Sequence, residues 1–182
     1  MTTRLALKPH FDTPCEAATS IEVDVVRPAP SALILRYVLT GAIDDLLLPP
    51  LRASERRDHL WQHTCFEIFI RAASAEPYHE FNFAPSLRWA AYRFEARRSG
   101  MSNMDMPPPS IATSLTAEVL ELRVALDVAC LPAGKLWSIG LSAVIEEKNG
   151  CKSYWALAHP PGEPDFHHPA CFAFQLPPAE CP

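Results

Sequence analysis

The residues best able to do chemistry lie between Leu60 and Glu95, in the strings LWQHTCFEIFI and YHEFNFAPSLRWAAYRF. Read as a strand from Trp61 to Arg71, the first string alternates between two faces. Phe66, Ile68 and Ile70 then form a core stripe. Trp61, His63, Cys65, Glu67 and Phe69 share the other face, which sets a carboxylate beside large aromatics. On the next run Tyr78, Glu80 and Asn82 share a face opposite Phe81 and Phe83, and on a third Arg88, Ala90 and Tyr92 lie together. Flat rings that stack on apolar C–H faces, with planar polar groups for paired hydroxyls, are what a sugar requires. The expected site centres on Trp61, Glu67 and Arg88. An adjacent guanidinium would keep the Glu67 carboxylate ionised. The plainer alternative is a structural Glu67–Arg88 ion pair. Glu67 and Glu80 also fit the two-carboxylate pattern of glycoside hydrolysis, but paired carboxylates on a sheet are common without catalysis. The reading adopted is non-catalytic.

A second cluster is His159-Pro-Pro-Gly-Glu-Pro-Asp-Phe-His-His-Pro169. His63, His159, Asp165, His167 and His168 are weak candidates for a divalent cation, because imidazole is a common metal ligand but the spacing matches no tight zinc pattern. Met101, Met104 and Met106 could supply thioethers to a haem, although a Met-rich loop more often serves as adaptable packing. The loop Ala158–Pro169 is expected at the rim of the central-strand pocket. No cofactor is firmly implied. Glycine-rich phosphate loops, H-E-x-x-H and G-x-S-x-G are absent, which disfavours dinucleotide enzymes, nucleotide hydrolases and α/β-hydrolases.

The elements positioning these residues read as strands. Ile21, Val23 and Val25 alternate with Glu22 and Asp24, Leu120, Leu122, Val124 and Leu126 with Glu121, Arg123 and Asp127, Trp137–Ile145 with Ser138, Gly140, Ser142 and Val144, and Phe172–Leu176 with smaller Cys171 and Ala173. Turn chemistry separates them at Arg27–Ser31, Leu131–Gly134, Lys148–Gly150 and Pro160–Gly162. With 19 Pro among 182 residues, a helical bundle is disfavoured. About nine or ten strands predict an all-β antiparallel sandwich of jelly-roll type. A single domain over 1–182 is expected, with long loops at about 41–60 and 97–110. The first of these should hold a short helix around Leu51–His59.

Hydrophobic residues make up 48% and the net charge is −5, so a core is affordable and a nucleic-acid partner is disfavoured. The N-terminal residues lack an apolar signal region and no apolar run approaches the roughly 20 residues of a membrane span. A cytoplasmic location is expected. The six Cys are scattered, so Cys65 and Cys171 should be reduced and buried.

The strings W-Q-x-x-x-F-E-I-F-I, Y-x-E-F-N-F-x-P-S-x-x-W-A-A-Y-R-F and Y-W-A-L-x-H-P…D-F-H-H-P, spanning about Leu33 to Leu176, resemble the DOMON-like proteins. These are related to family 9 carbohydrate-binding modules and to haem-binding DOMON domains. The resemblance implies a jelly-roll sandwich. It assigns ligand contact to Trp61, Glu67 and Arg88, with Phe166 nearest to the place of a second stacking aromatic. That branch tends to carry acids just after the first Trp, where this chain has Gln62, His63 and Thr64. The expected function is binding of a small carbohydrate through Trp61, Glu67, Arg88, Tyr78, Glu80, Asn82 and Phe166. The alternatives are a haem- or metal-binding redox module, and a protein-interaction domain with a degenerate pocket that could form a homodimer through a sheet edge.

Overall fold

The computed structural model describes residues 2–73, 75–132 and 135–179. Twelve strands run through it: β1 (Thr2–Pro9), β2 (Ala18–Ala29), β3 (Ala32–Gly41), β4 (Cys65–Ala72), β5 (Tyr78–Phe83), β6 (Trp89–Phe94), β7 (Ser102–Asn103), β8 (Ser110–Leu115), β9 (Val119–Asp127), β10 (Trp137–Glu146), β11 (Lys152–Ala156) and β12 (Phe174–Leu176). Three short 3-10 turns complete the elements, and no α-helix occurs among the described residues.

The ladders are antiparallel and form two layers. One is ordered β1-β2-β3-β9-β8; the other is β7-β6-β5-β4-β10-β11, with β12 on β10. β1 belongs to both: Thr2–Leu7 pair with β2, and Lys8 and Pro9 pair with β11. This is the all-β sandwich that period-two alternation predicts.

Between the layers, Ile21, Val23, Leu35, Leu39, Leu122 and Val124 from the first sheet meet Phe66, Ile68, Phe81, Ile139 and Leu141 from the second. Fully burying each large side chain stabilises by roughly 1.5–3 kcal/mol. Tyr37, wholly buried, crosses the core and donates its hydroxyl to the Glu67 carbonyl at 2.8 Å. That bond keeps the polar end of a core residue satisfied and fixes β4 against the first sheet.

The second sheet is buried on its outer face too. Cys65 and Phe69 of β4, Tyr78 of β5, and Ala90, Tyr92 and Phe94 of β6 form a separate apolar cluster, closed over by Leu60 and Phe172 from loops. Two covered faces explain why CFEIFI is almost continuously apolar. Gly140 permits the covering. A Cβ there would meet the Cys171 carbonyl oxygen at 2.9 Å, so only glycine lets the Pro169–Cys171 turn lie on β10.

Two sequence expectations need correction. Leu51–His59 is not helical. It lies along β6, with Arg52 N–H donating to Ser86 O (3.0 Å), Trp89 N–H to Glu55 O (3.1 Å) and Arg57 N–H to Trp89 O (2.8 Å). The edge of β6 takes these backbone groups, and Pro49-Pro50 ahead of the segment disfavours a helical start. Trp61 is not on the strand either. It sits in a 3-10 turn, Leu60–Gln62, entered through His59 at φ 64°, and β4 begins only at Cys65.

Candidate functional site

A cavity of about 1050 Å³ opens on the outer face of the second sheet. Its floor is built by strand parity. Glu67 lies opposite Asn82 and Ser142, and Phe69 lies opposite Glu80, which in turn faces Tyr92. Val144 of β10 and Tyr154 of β11 extend the surface. Three loops raise the walls: Asp58–His63 before β4, Arg98–Asn103 after β6, and Glu163–His167 after β11. Trp61 is 48% exposed at the rim, and Tyr154 and Phe166 face each other at 6.0 Å between ring centroids.

The floor is polar but buried. Glu67 is 2% and Glu80 5% exposed. Glu67 Oε2 accepts the Ser142 hydroxyl at 3.0 Å, and Glu80 Oε1 accepts the Asn82 amide at 2.7 Å. Burial pushes the Glu67 carboxyl well above the usual range, and the nearby Glu80 charge pushes it further. Burial likewise raises Glu80 to about 7, against the lesser pull of Asn82 and Arg98. Desolvation disfavours the charged form, and Arg98, acting on Glu80, offsets it only in part.

A relay borders Glu80. The Arg98 backbone N–H donates to the Tyr78 hydroxyl oxygen at 3.2 Å. Tyr78 Oη and His167 Nδ1 are 2.7 Å apart. When the imidazole carries its proton on Nε2, Nδ1 accepts the tyrosine hydroxyl and Nε2 stands 3.7 Å from Glu80 Oε2. Burial lowers His167 to about 4, so at neutral pH it is an uncharged donor. On the opposite wall the Tyr92 hydroxyl donates to Asp58 Oδ1 at 2.8 Å.

Of the residues expected from sequence, Trp61, Glu67, Glu80 and Phe166 line the cavity. Tyr78 and Asn82 are buried behind it, orienting His167 and Glu80. Arg88 is elsewhere: its guanidinium donates to exposed Glu55 at 2.7–2.8 Å. It immediately precedes β6 and does not line the cavity. The expected Glu67–Arg88 partnership therefore does not form, and Glu67 is not held ionised.

The weak metal candidates are dispersed. His63 Nδ1 is 2.6 Å from Glu146 Oε2, His159 Nε2 bonds the Lys8 carbonyl at 2.8 Å, and His168 Nδ1 accepts from Ala170 N–H at 3.1 Å. Asp165 is held by Arg97 and Arg98, and His167 by Tyr78. Among the described residues no three His, Cys, Asp or Glu are grouped to hold a metal ion. Met101 reaches the cavity, whereas Met104 and Met106 pack against the main core. Of the loop Ala158–Pro169, Glu163, Pro164, Phe166 and His167 reach the wall. Cys65 and Cys171 are free and buried; burial raises both thiols, Cys171 to about 11. Cys181 lies outside the described residues.

Sequence reasoning missed Tyr154, Arg98 and Asp58 as lining residues. Parity along β11 would have found Tyr154. Nothing in the sequence signals that the other two loops fold over the sheet.

Fold and cleft together define a two-layer antiparallel sandwich with a ligand-sized cavity on the outer face of one layer. The same fold occurs in a Bacteroides uniformis protein to which carbohydrate binding is ascribed, at TM-score 0.66 and 16% identity over 94% of this chain and 83% of that one. A family 9 carbohydrate-binding module of Caldicellulosiruptor kristjanssonii, solved with cellotriose, aligns at TM-score 0.47 and 10% identity over 83% of this chain and 75% of that one. No protein-family model matches the chain, and no curated protein does.

Proposed function

We propose that this protein is a non-catalytic carbohydrate-binding module that takes a small sugar into the cavity above Glu67 and Glu80. The observation that carries the reading is the pairing of an exposed aromatic rim with a desolvated hydrogen-bonding floor. Trp61 is 48% exposed over a cavity whose floor side chains are at most 5% exposed. A flat ring resting on Trp61 or Phe166 would present its hydroxyls to Glu67, Glu80 and His167 Nε2. The ascribed binding of the B. uniformis protein supports the same reading.

A non-catalytic role is supported by the carbohydrate binding, with no activity, ascribed to the structurally similar B. uniformis protein. Dispersal of the His and Met side chains weighs against a haem or metal site.

A glycan array followed by titration calorimetry tests the proposal. Trp61→Ala should fold normally and bind the best array sugar at least tenfold more weakly, equivalent to about 1.4 kcal/mol. An array without hits, or unchanged affinity in Trp61→Ala, overturns the reading.

A further inference from the structure

The cavity floor is electrostatically unlike the rest of the molecule. Asp24 is paired with Arg4 and Arg36, Glu121 with Arg36 and Arg123, and Asp165 with Arg97 and Arg98. Glu147 receives the Cys15 thiol and two backbone N–H groups. Among the described residues Glu67 makes no ion pair within 4.0 Å, and Glu80 has only the neutral His167 at 3.7 Å. Among the described residues Ser142 serves Glu67 Oε2 and no hydrogen bond reaches Oε1. Asn82 Oδ1, fully buried beside them, has no partner. The cations that line the cavity are committed elsewhere. Lys152 Nζ bonds the Gln62 carbonyl at 2.6 Å and stands 3.6 Å from Glu146, and the Arg98 guanidinium holds Asp165.

Buried acceptors without donors are costly unless something supplies the missing hydrogens and charge. The walls favour one kind of supplier. Trp61, Tyr92, Phe94, Tyr154 and Phe166 turn aromatic surface toward the same space, and aromatic faces attract cations. An ammonium group offers three donors and a positive charge; a hydroxyl offers one donor and none.

We infer that the ligand is an aminated sugar whose ammonium group docks between the Glu67 and Glu80 carboxyls, with its ring against the aromatic rim. This rests on the carbohydrate reading and names the class of sugar. Docking requires both carboxyls to be ionised, so protons held by the pair pass to solvent as the ligand binds. The other titratable or charged groups around the pair are Cys65 on β4, Tyr92 with Asp58, His167 with Tyr78, and Arg98 with Asp165. Tyr37 stands behind β4.

The test is calorimetry at pH 7 with D-glucosamine, D-galactosamine and D-mannosamine against glucose, galactose and mannose, in two buffers of different ionisation enthalpy. At least one aminated sugar should bind tenfold or more tightly than its neutral parent and release protons. Glu67→Gln should bring the two within twofold of each other. Glu80→Gln provides the same test should the first variant fail to fold by circular dichroism. Equal affinity for aminated and neutral sugars overturns the ammonium inference and leaves the carbohydrate reading standing. Binding of neither set, with an empty glycan array, overturns both. Tetramethylammonium binding without any sugar binding also overturns both as stated.

Discussion

Replacing Glu80 by Gln removes a carboxyl whose buried setting raises it from an ordinary 4.5 to about 7. Between those values the folded protein binds more protons than the unfolded chain, so stability falls as pH rises through the window. At about 1.4 kcal/mol for each pH unit, the full rise corresponds to about 3 kcal/mol. The penalty is absent below pH 4.5 and complete above about 7. Gln preserves the local bonding, because its carbonyl oxygen can still accept from Asn82 Nδ2, which now reaches Glu80 Oε1 at 2.7 Å. The variant should therefore match the wild type near pH 4.5 and exceed its stability by up to about 3 kcal/mol at pH 8. For a chain of this length that is roughly 6–12 °C in Tm. Glu67 and Glu80 repel one another, so the pair titrates jointly and the difference spreads across a broader range than one group would give. Asp24, Glu121 and Asp165 have lowered values, but they titrate alike in both proteins and drop out of the comparison. Urea denaturation at half-unit steps from pH 4.5 to 8 is the assay. Parallel profiles for wild type and variant would refute the claim that an incompletely compensated buried carboxyl sits on the floor.

His167 has the opposite dependence: lowered from 6.5 to about 4, it is neutral in the fold, and stability is lost as pH falls from 6.5 toward 4. His167→Asn, which can keep an acceptor for Tyr78, should flatten that limb in the same denaturation series. Arg88→Ala should leave sugar affinity within twofold of wild type by calorimetry, since Arg88 serves only its surface pair with Glu55. Gly140→Ala forces a methyl group to 2.9 Å from the Cys171 carbonyl and should cost about 1–3 kcal/mol, read as a lowered urea midpoint together with weaker binding as the Pro169–Cys171 cover shifts.

The strands were legible because burial on a pleated sheet imposes period two on the sequence. Ile21–Val25, Leu120–Leu126 and Tyr78–Phe83 fall where alternation puts them. β1 was not, because its residues are mostly exposed or half-buried and its pattern is weak. Within the site, the floor carboxylates Glu67 and Glu80 followed from parity on paired strands. Trp61 reached the cavity by another route than the one expected, through a 3-10 turn where parity has no meaning. Arg88 failed because it lies in the connection ahead of β6, where strand parity does not yet set the direction of a side chain. The wall residues Asp58 and Arg98 come from irregular loops, whose course is set by tertiary docking onto the second sheet rather than by local pattern.

The strand that leaves one layer and joins the other has a mechanical meaning. β1 hands over at Leu7–Lys8, and the next donor along the chain, His10 N–H, bonds the Tyr154 carbonyl at 2.8 Å. Tyr154 is therefore tied on one side to the strand that joins the two layers and on the other, through its pairing with Val144, to the floor strand β10, so the edge of the cleft and its floor are braced as one piece.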